Sequence, residues 1–501
     1  MTSPSSLPHC VDVAIVGAGF AGLGLGIRLA RADRESFVIL ERGDSVGGTW
    51  RDNHYPGVAC DVPAHVYSYS FRPPGDWTSL FASGPEIHEY LTRAVDEEGL
   101  TPHLHLNTDV AQARWLPDQL CWLVATNAGE MRARVLVVAV GRLADPLMPE
   151  VSGSETFSGK VFHTAQWDDE APIDGARVGI VGTGASAVQL TPHLAERAGE
   201  LVVFSRSAPY VVPRGNREYS EPERVQLQVK ANADRLREEL FTEADKAFAQ
   251  RRGLRPDIDE IRARALGHLT AQIGNPDLRR ALTPDYEIGC KRILLSDEFY
   301  PALTRPSVTL EPSALAAFDG DSVVAASGRS YDLDVVVMAT GFEAARPAFA
   351  ERVAGVGGEL LSDHWGEGMV SYASTAVSGF PNMFVLDGPN AALGHNSAIY
   401  MIETQIDYVL GALDHLWRNS GLALEVSADA ERDYTREIDE RSASTVWLSG
   451  CSSWYLDPQS GRLTLLWPGT GRSFRERNGT FDPQRYEKVS AVGVGQECRV
   501  S

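Results

Sequence analysis

The sequence predicts an α/β fold built from two copies of a strand–glycine turn–helix–strand unit, with a helical insertion in the second. Three observations carry this. A β-branched run at 11–16 breaks into Gly17-Ala18-Gly19-Phe20-Ala21-Gly22 and an apolar, helical-looking segment, 23–30. A second run, 176–181, breaks in the same way into Gly182-Thr183-Gly184-Ala185-Ser186-Ala187. From about 215 to 284 the composition shifts to Glu, Arg, Ala and Leu. There Leu236, Leu240, Ala244 and Phe248 form one stripe, and Ile258, Ile261 and Ala265 another, as on amphipathic helices.

Each part of the first unit has a physical use. Gly17 permits the tight turn, Gly19 lets the backbone approach a pyrophosphate, and Gly22 lets helix and strand pack closely. The N-terminus of the helix that follows offers N–H groups to phosphates. The next strand, 37–40, ends at Glu41, 19 positions after Gly22, where a carboxylate accepts hydrogen bonds from ribose hydroxyls. With strand, turn, helix and acid in register, a Rossmann-like dinucleotide site outweighs a merely structural glycine turn. The second unit differs at its end. Its strand, 200–204, runs into Ser205-Arg206-Ser207 with no acid in the place of Glu41. A cation among hydroxyls suits a ribose 2′-phosphate, which a carboxylate would repel. The second unit is therefore expected to bind NADPH rather than NADH, against the plainer reading of Arg206 as a surface charge.

Bulk properties narrow the class. The 501 residues hold 67 acidic and 46 basic side chains, a net charge of −21. That balance opposes a nucleic-acid or anionic-membrane partner. No apolar stretch reaches the roughly 20 residues of a membrane helix, and the first ten residues carry no basic signal-peptide start. The cysteines Cys10, Cys60, Cys121, Cys290, Cys451 and Cys498 include no C-x-x-C pair. Neither a zinc knuckle nor a dithiol redox pair is expected, and such sparse cysteines fit a reducing compartment. The expectation is a cytoplasmic protein with no metal and no membrane insertion. Its oligomeric state is not readable.

Further motifs stand between and after the fingerprints. Gly47-Gly48-Thr49-Trp50 is followed by Tyr55-Pro56-Gly57 and Asp61. Phe157, Gly159, His163, Trp167 and Asp168 make the pattern F-x-G-x-x-x-H-x-x-x-W-D, just before the second fingerprint. Lys291-Arg292, Ala339-Thr340-Gly341-Phe342, Asp387-Gly388-Pro389-Asn390 and a tryptophan-rich tail with Trp454 complete the series. In content and order these resemble the type I Baeyer–Villiger monooxygenases, flavoenzymes that insert an oxygen atom beside a ketone carbonyl.

The resemblance implies FAD on the first fingerprint, with Gly48, Thr49, Trp50, Asp61, Val110, Thr340, Gly341 and Asn390 among its contacts. It implies NADPH on the second, held by Thr183, Ser186, Arg206, Ser207 and Lys291. Its substrates would be a small-molecule ketone and O₂, joined through a C4a-peroxyflavin to give an ester or lactone. Arg292 would stand at the flavin, oriented by Asp61. Phe157, Gly159, His163 and Trp167 would couple the two domains, and Trp454 would belong to a mobile loop over the nicotinamide nucleotide.

The implied domains are 1–145 and 332–501 for FAD, 146–214 and 285–331 for NADPH, and 215–284 for the insertion. Plainer readings stand beside these roles. Asp61 also suits an Asx turn before Val62-Pro63, Lys291-Arg292 a surface pair, and Trp454 simple packing. Among functions, a flavin monooxygenase acting on nitrogen or sulfur shares both fingerprints but lacks the Asp61/Arg292 pair. An NADPH–disulfide reductase would need the missing C-x-x-C, and a non-catalytic flavin binder would consume neither NADPH nor O₂.

Overall fold

The computed structural model describes residues 6–34, 36–73, 75–419 and 421–489. Val- and Ile-rich runs form strands buried on both faces, as parallel sheets covered by helices require. In the first sheet Cys10–Val16 lies parallel to Phe37–Leu40 on one side and to Gly129–Val138 on the other. Leu104–His105 continues beyond Phe37–Leu40, and Val110–Leu116 and Cys121–Thr126 extend the opposite side as antiparallel strands. Late residues return to this sheet: Val353–Ala354 pairs with Val110–Leu116, and Met383–Val385 with Gly129–Val138.

The second sheet is parallel throughout, in the order Val308–Glu311, Glu200–Phe204, Arg177–Val181, Val335–Met338, Lys160–His163. Val335–Met338 is thus an inner strand of the second sheet. The boundary expected between 331 and 332 falls before this strand, and the chain leaves the sheet only after it. An apolar run signals a buried strand, but its sequence does not say which of two sheets buries it.

The two sheets are tied to one another by specific contacts. The helix Ala185–Arg197 of the second unit lies against residues 55–59 of the first. Tyr55 donates its hydroxyl to Gln189 Oε1 (3.0 Å), and Gln189 donates back to the Ala59 carbonyl (2.9 Å). A side chain at Gly57 would collide with His193, at 2.4 Å from Cβ, and Gly57 also has φ +84°. Both facts require glycine there.

The insertion is helical, with Lys230–Lys246 and Asp257–Gln272 its longest members. Ile258 and Ala265 of the expected second stripe are buried, and Ile261 packs beside them. The first stripe differs. Leu236, Leu240 and Ala244 are only half-buried, and the buried residues of that helix are Ala233, Phe241 and Asp245. The rotation centres a carboxylate on the hidden face. Asp245 accepts hydrogen bonds from the backbone N–H groups of Gly471 (2.6 Å) and Arg472 (3.3 Å) and from Asn396 (3.2 Å). An acid satisfied by a helix N-terminus is stable where an unpaired one is not, so a polar residue here anchors the insertion to the C-terminal part of the chain. Among the described residues no helix is long and apolar enough to cross a membrane.

Candidate active site

Both glycine turns open onto one cavity of about 880 Å³. The helix Phe20–Ala30 starts after Gly19 and Ala185–Arg197 after Gly184, each without a side-chain cap and without an acid in its first turn. Two unsatisfied, positive helix ends therefore meet the same space. At three positions the turns admit no larger residue. A Cβ on Gly22 would lie 1.9 Å from the Gly17 carbonyl oxygen, and Gly17 (φ +105°) and Gly182 (φ +119°) press on the carbonyls of Ala139 and Ala339. This backbone fits two phosphate-bearing ligands.

The walls carry nearly all of the sequence-selected residues. Gly17, Gly19, Phe20, Glu41, Gly48, Thr49, Trp50, Asp61 and Val110 line it from the first unit. Gly182, Thr183, Gly184, Ser186, Arg206, Ser207, Lys291 and Arg292 line it from the second. Thr340, Gly341 and Trp454 complete the lining. Trp454 is 43% exposed, with its ring 4.6 Å from that of Tyr455. Gly22 lies behind the wall, packed on Gly17. Asn390 is also off the wall: its amide donates to the carbonyls of Leu463 (2.8 Å) and Leu466 (3.0 Å), which pins the C-terminal segment.

Glu41 is buried, and its oxygens already accept from the N–H groups of Ala18 and Gly43, both at 2.8 Å, and from Arg51 at 2.7 Å. Asp61 and Arg292, 231 positions apart, form a two-pronged pair, Nε to Oδ2 at 2.7 Å and Nη2 to Oδ1 at 2.6 Å. The pair fixes the guanidinium plane as well as its position. Asp61, ahead of burial, holds the Arg292 guanidinium above its ordinary pKa, so it is a fixed cation.

In the same cavity, Arg206 and Lys291 form no ion pair with any described carboxylate. Burial, then the nearby Arg206 charge, lowers the Lys291 pKa, while its ammonium sits 4.6 Å from the Tyr286 ring centre. Two unpaired cations this close repel each other and are stabilised by a dianion such as a phosphate monoester.

The segment Phe157–Asp168 lies outside the cavity. His163 ends the edge strand of the second sheet, opposite Met338. It is fully buried, its Nδ1 accepts from the Ala165 N–H (3.0 Å), and its ring meets Phe342 edge-on at 5.5 Å. Burial lowers its pKa against a hydrogen bond to the Gly341 backbone. Trp167 packs in a cluster holding Tyr55 and Val58 of the first unit and Ile180 and Val188 of the second. Phe157 packs on Phe318 at 5.0 Å, and a Cβ on Gly159 would lie 2.4 Å from the Asp334 carbonyl oxygen.

Some neighbours of the site escaped the sequence reading. Arg214 donates to the Cys60 carbonyl (3.1 Å) beside Asp61, and Arg142 pairs at the cavity wall with Asp387 of the motif named above. A disulfide joins Cys290, immediately before Lys291, to Cys451, three residues before Trp454, with Cα atoms 6.4 Å apart. C-x-x-C spacing could not reveal this link, because the two cysteines are 161 residues apart. Tyr455 also lines the cavity. Its only sequence signal was adjacency to Trp454.

Comparison with known proteins agrees with this geometry. Residues 14–232 match a family described as pyridine nucleotide-disulphide oxidoreductase. A "Baeyer-Villiger monooxygenase" from Streptomyces coelicolor is 42% identical over 483 residues, covering 95% of this chain and 92% of that protein. The chain belongs to the Baeyer–Villiger monooxygenases. A second "Baeyer-Villiger monooxygenase", from Pseudomonas aeruginosa, is 40% identical and covers 99% of this chain and 95% of its own. Among solved structures, an oxidized steroid monooxygenase bound to NADP superposes with a TM-score of 0.85 at 30% identity, covering 96% of this chain and all of that one. A closed cyclohexanone monooxygenase gives 0.85 at 28% identity, covering 97% and 100%. The two-sheet Baeyer–Villiger monooxygenase fold thus spans nearly the whole chain, and FAD and NADP are its cofactors.

Proposed function

We propose that this enzyme converts a ketone to an ester or lactone with NADPH and O₂, in the cavity between the two fingerprints. The observation that carries the reading is the Asp61–Arg292 pair, a fixed cation lining the same cavity as both turns. When bound, FAD and NADPH supply reducing equivalents and activated dioxygen.

The protein's own part is binding, orientation and charge. The first turn and Glu41 would hold the flavin nucleotide, with Thr49, Trp50, Thr340 and Gly341 along its length. The second turn would hold the nicotinamide nucleotide, with Arg206 and Lys291 on its 2′-phosphate. Arg292 would face the ketone carbonyl and stabilise negative charge as it develops on the oxygen, a preorganised contribution that water cannot match. Asp61 would keep that guanidinium in place. His163 and Trp167 would keep the two halves in register, and Trp454 would cover the mouth. The domains follow the two sheets, with the return crossing at Ala339–Phe342.

The test is a panel of cyclic, linear and aromatic ketones incubated with purified enzyme, FAD, NADPH and air, with product masses read out. Products heavier by one oxygen atom and identified as esters or lactones support the reading. Turnover of amines or sulfides alone would overturn it.

A further inference from the structure

Tyr455 is the buried polar group of the cavity with no task so far. It is 1% exposed, yet it lines the cavity together with Asp61 and Arg292. Its ring is held by Trp454 at 4.6 Å and by Trp447, edge-on, at 6.5 Å. Its hydroxyl has no hydrogen-bond partner of good geometry among the described residues. A buried hydroxyl left unsatisfied is destabilising, so packing alone would be served better by phenylalanine.

The charges around the hydroxyl define what it can do. Burial raises the Tyr455 pKa, opposed by the Arg292 and Arg251 guanidinium groups. Arg251 belongs to the insertion, is buried, and makes one hydrogen bond, from Nη2 to the Gly394 carbonyl at 3.1 Å. Its Nη1 has no partner, and burial lowers its pKa to about 10. The phenol oxygen therefore stands in the field of two cations, with the Asp61 carboxylate that pairs with Arg292 acting against them. Guanidinium groups only donate hydrogen bonds, so they face the lone pairs and leave the O–H proton to a ligand. Positive charge behind the oxygen also makes that proton a stronger donor. A ketone carbonyl is a pure acceptor and matches it, as does the ester that replaces it.

We propose that Tyr455 is a catalytic residue that donates its hydroxyl hydrogen bond to the substrate carbonyl oxygen, beside Arg292. This rests on the ketone-oxygenating reading above and assigns it a second donor. The donor sits next to Trp454, so recognition of the carbonyl is completed by the C-terminal segment rather than by the sheets. The Cys290–Cys451 disulfide ties that segment to the strand of chain bearing Lys291 and Arg292, which keeps the two donors in one frame.

The test is Tyr455→Phe, which keeps the ring and its packing and removes only the hydroxyl. Flavin content and the rate of flavin reduction by NADPH are expected to match wild type, and the melting temperature to equal or exceed it. The kcat/KM for the ketone is expected to fall about 10- to 100-fold, the range for one lost donor at a developing oxyanion. The share of NADPH ending as hydrogen peroxide rises in step. Tyr455→His, which restores a ring N–H, is expected to recover part of the loss. Unchanged kcat/KM and coupling in Tyr455→Phe would overturn the proposal. So would loss of flavin or of thermal stability, since the hydroxyl would then serve the packing. If wild type oxygenates no ketone, the functional reading itself fails, a different result from either.

Discussion

Asp61→Asn removes one charge from the site and little volume. The two hydrogen bonds lost or weakened measure 2.7 and 2.6 Å, and the side chains of Asp61 and Arg292 are 23% and 30% exposed. Breaking a fully buried ion pair costs about 3–5 kcal/mol, and breaking an exposed one about 0–1 kcal/mol. A pair about three-quarters covered lies between, at about 2 kcal/mol. At about 1.4 kcal/mol per factor of ten, that lowers the ratio of correctly held to released Arg292 roughly 30-fold. Ester formation should fall by up to that factor, while flavin reduction by NADPH, to which the Asp61–Arg292 pair is assigned no part, stays near wild type. NADPH consumption, peroxide release and product yield, measured together, give the partition. In Asp61→Asn/Arg292→Ala the Asp61 change should add little to the effect of Arg292→Ala, because Asp61 acts through Arg292. Wild-type product rate and coupling in Asp61→Asn would refute the reasoning.

Other outcomes follow from the same geometry. Arg206→Ala should narrow the preference for NADPH over NADH by about 10- to 100-fold, read as the ratio of kcat/KM values, since a charge-assisted phosphate contact contributes about 1.5–3 kcal/mol. The Lys291 pKa lies below its ordinary 10.5 through burial and then Arg206. On the proposed role its ammonium form would bind the 2′-phosphate, so KM for NADPH should rise as pH climbs through that lowered value. KM for NADH should stay flat over the same range. His163→Ala should raise peroxide release or slow flavin reduction more than it lowers FAD content, because His163 packs on Phe342 and not on the cavity. Cys451→Ser should lower the melting temperature, since a tie across 161 residues stabilises by up to about 5 kcal/mol. It should also raise peroxide release by freeing the segment with Trp454.

What was legible in the sequence was what the backbone dictates. Gly17, Gly22 and Gly182 are fixed by carbonyl oxygens too close for any side chain, so both turns were readable at their true places. Asp61 and Arg292 were legible only through a family pattern, since nothing local links residues 231 positions apart. Asn390 belonged to the same pattern, yet its amide is committed to the carbonyls of Leu463 and Leu466. Tyr455, Arg251 and Asp245 owe their roles to tertiary neighbours. A buried acid beneath a helix N-terminus looks, in sequence, like any solvated residue between two hydrophobic stripes. The Cys290–Cys451 link and the sheet that claims Val335–Met338 depend on the same long-range folding.

The central claim is that Arg292 directs oxygen into the carbonyl rather than assembling the cofactor site. The most direct measurement follows isotopically labelled dioxygen in wild type and Arg292→Ala with one accepted ketone. Wild type should place one labelled atom in each ester. Arg292→Ala should retain FAD and go on oxidising NADPH, with the label leaving as hydrogen peroxide. Labelled ester at the wild-type yield from Arg292→Ala would contradict the account.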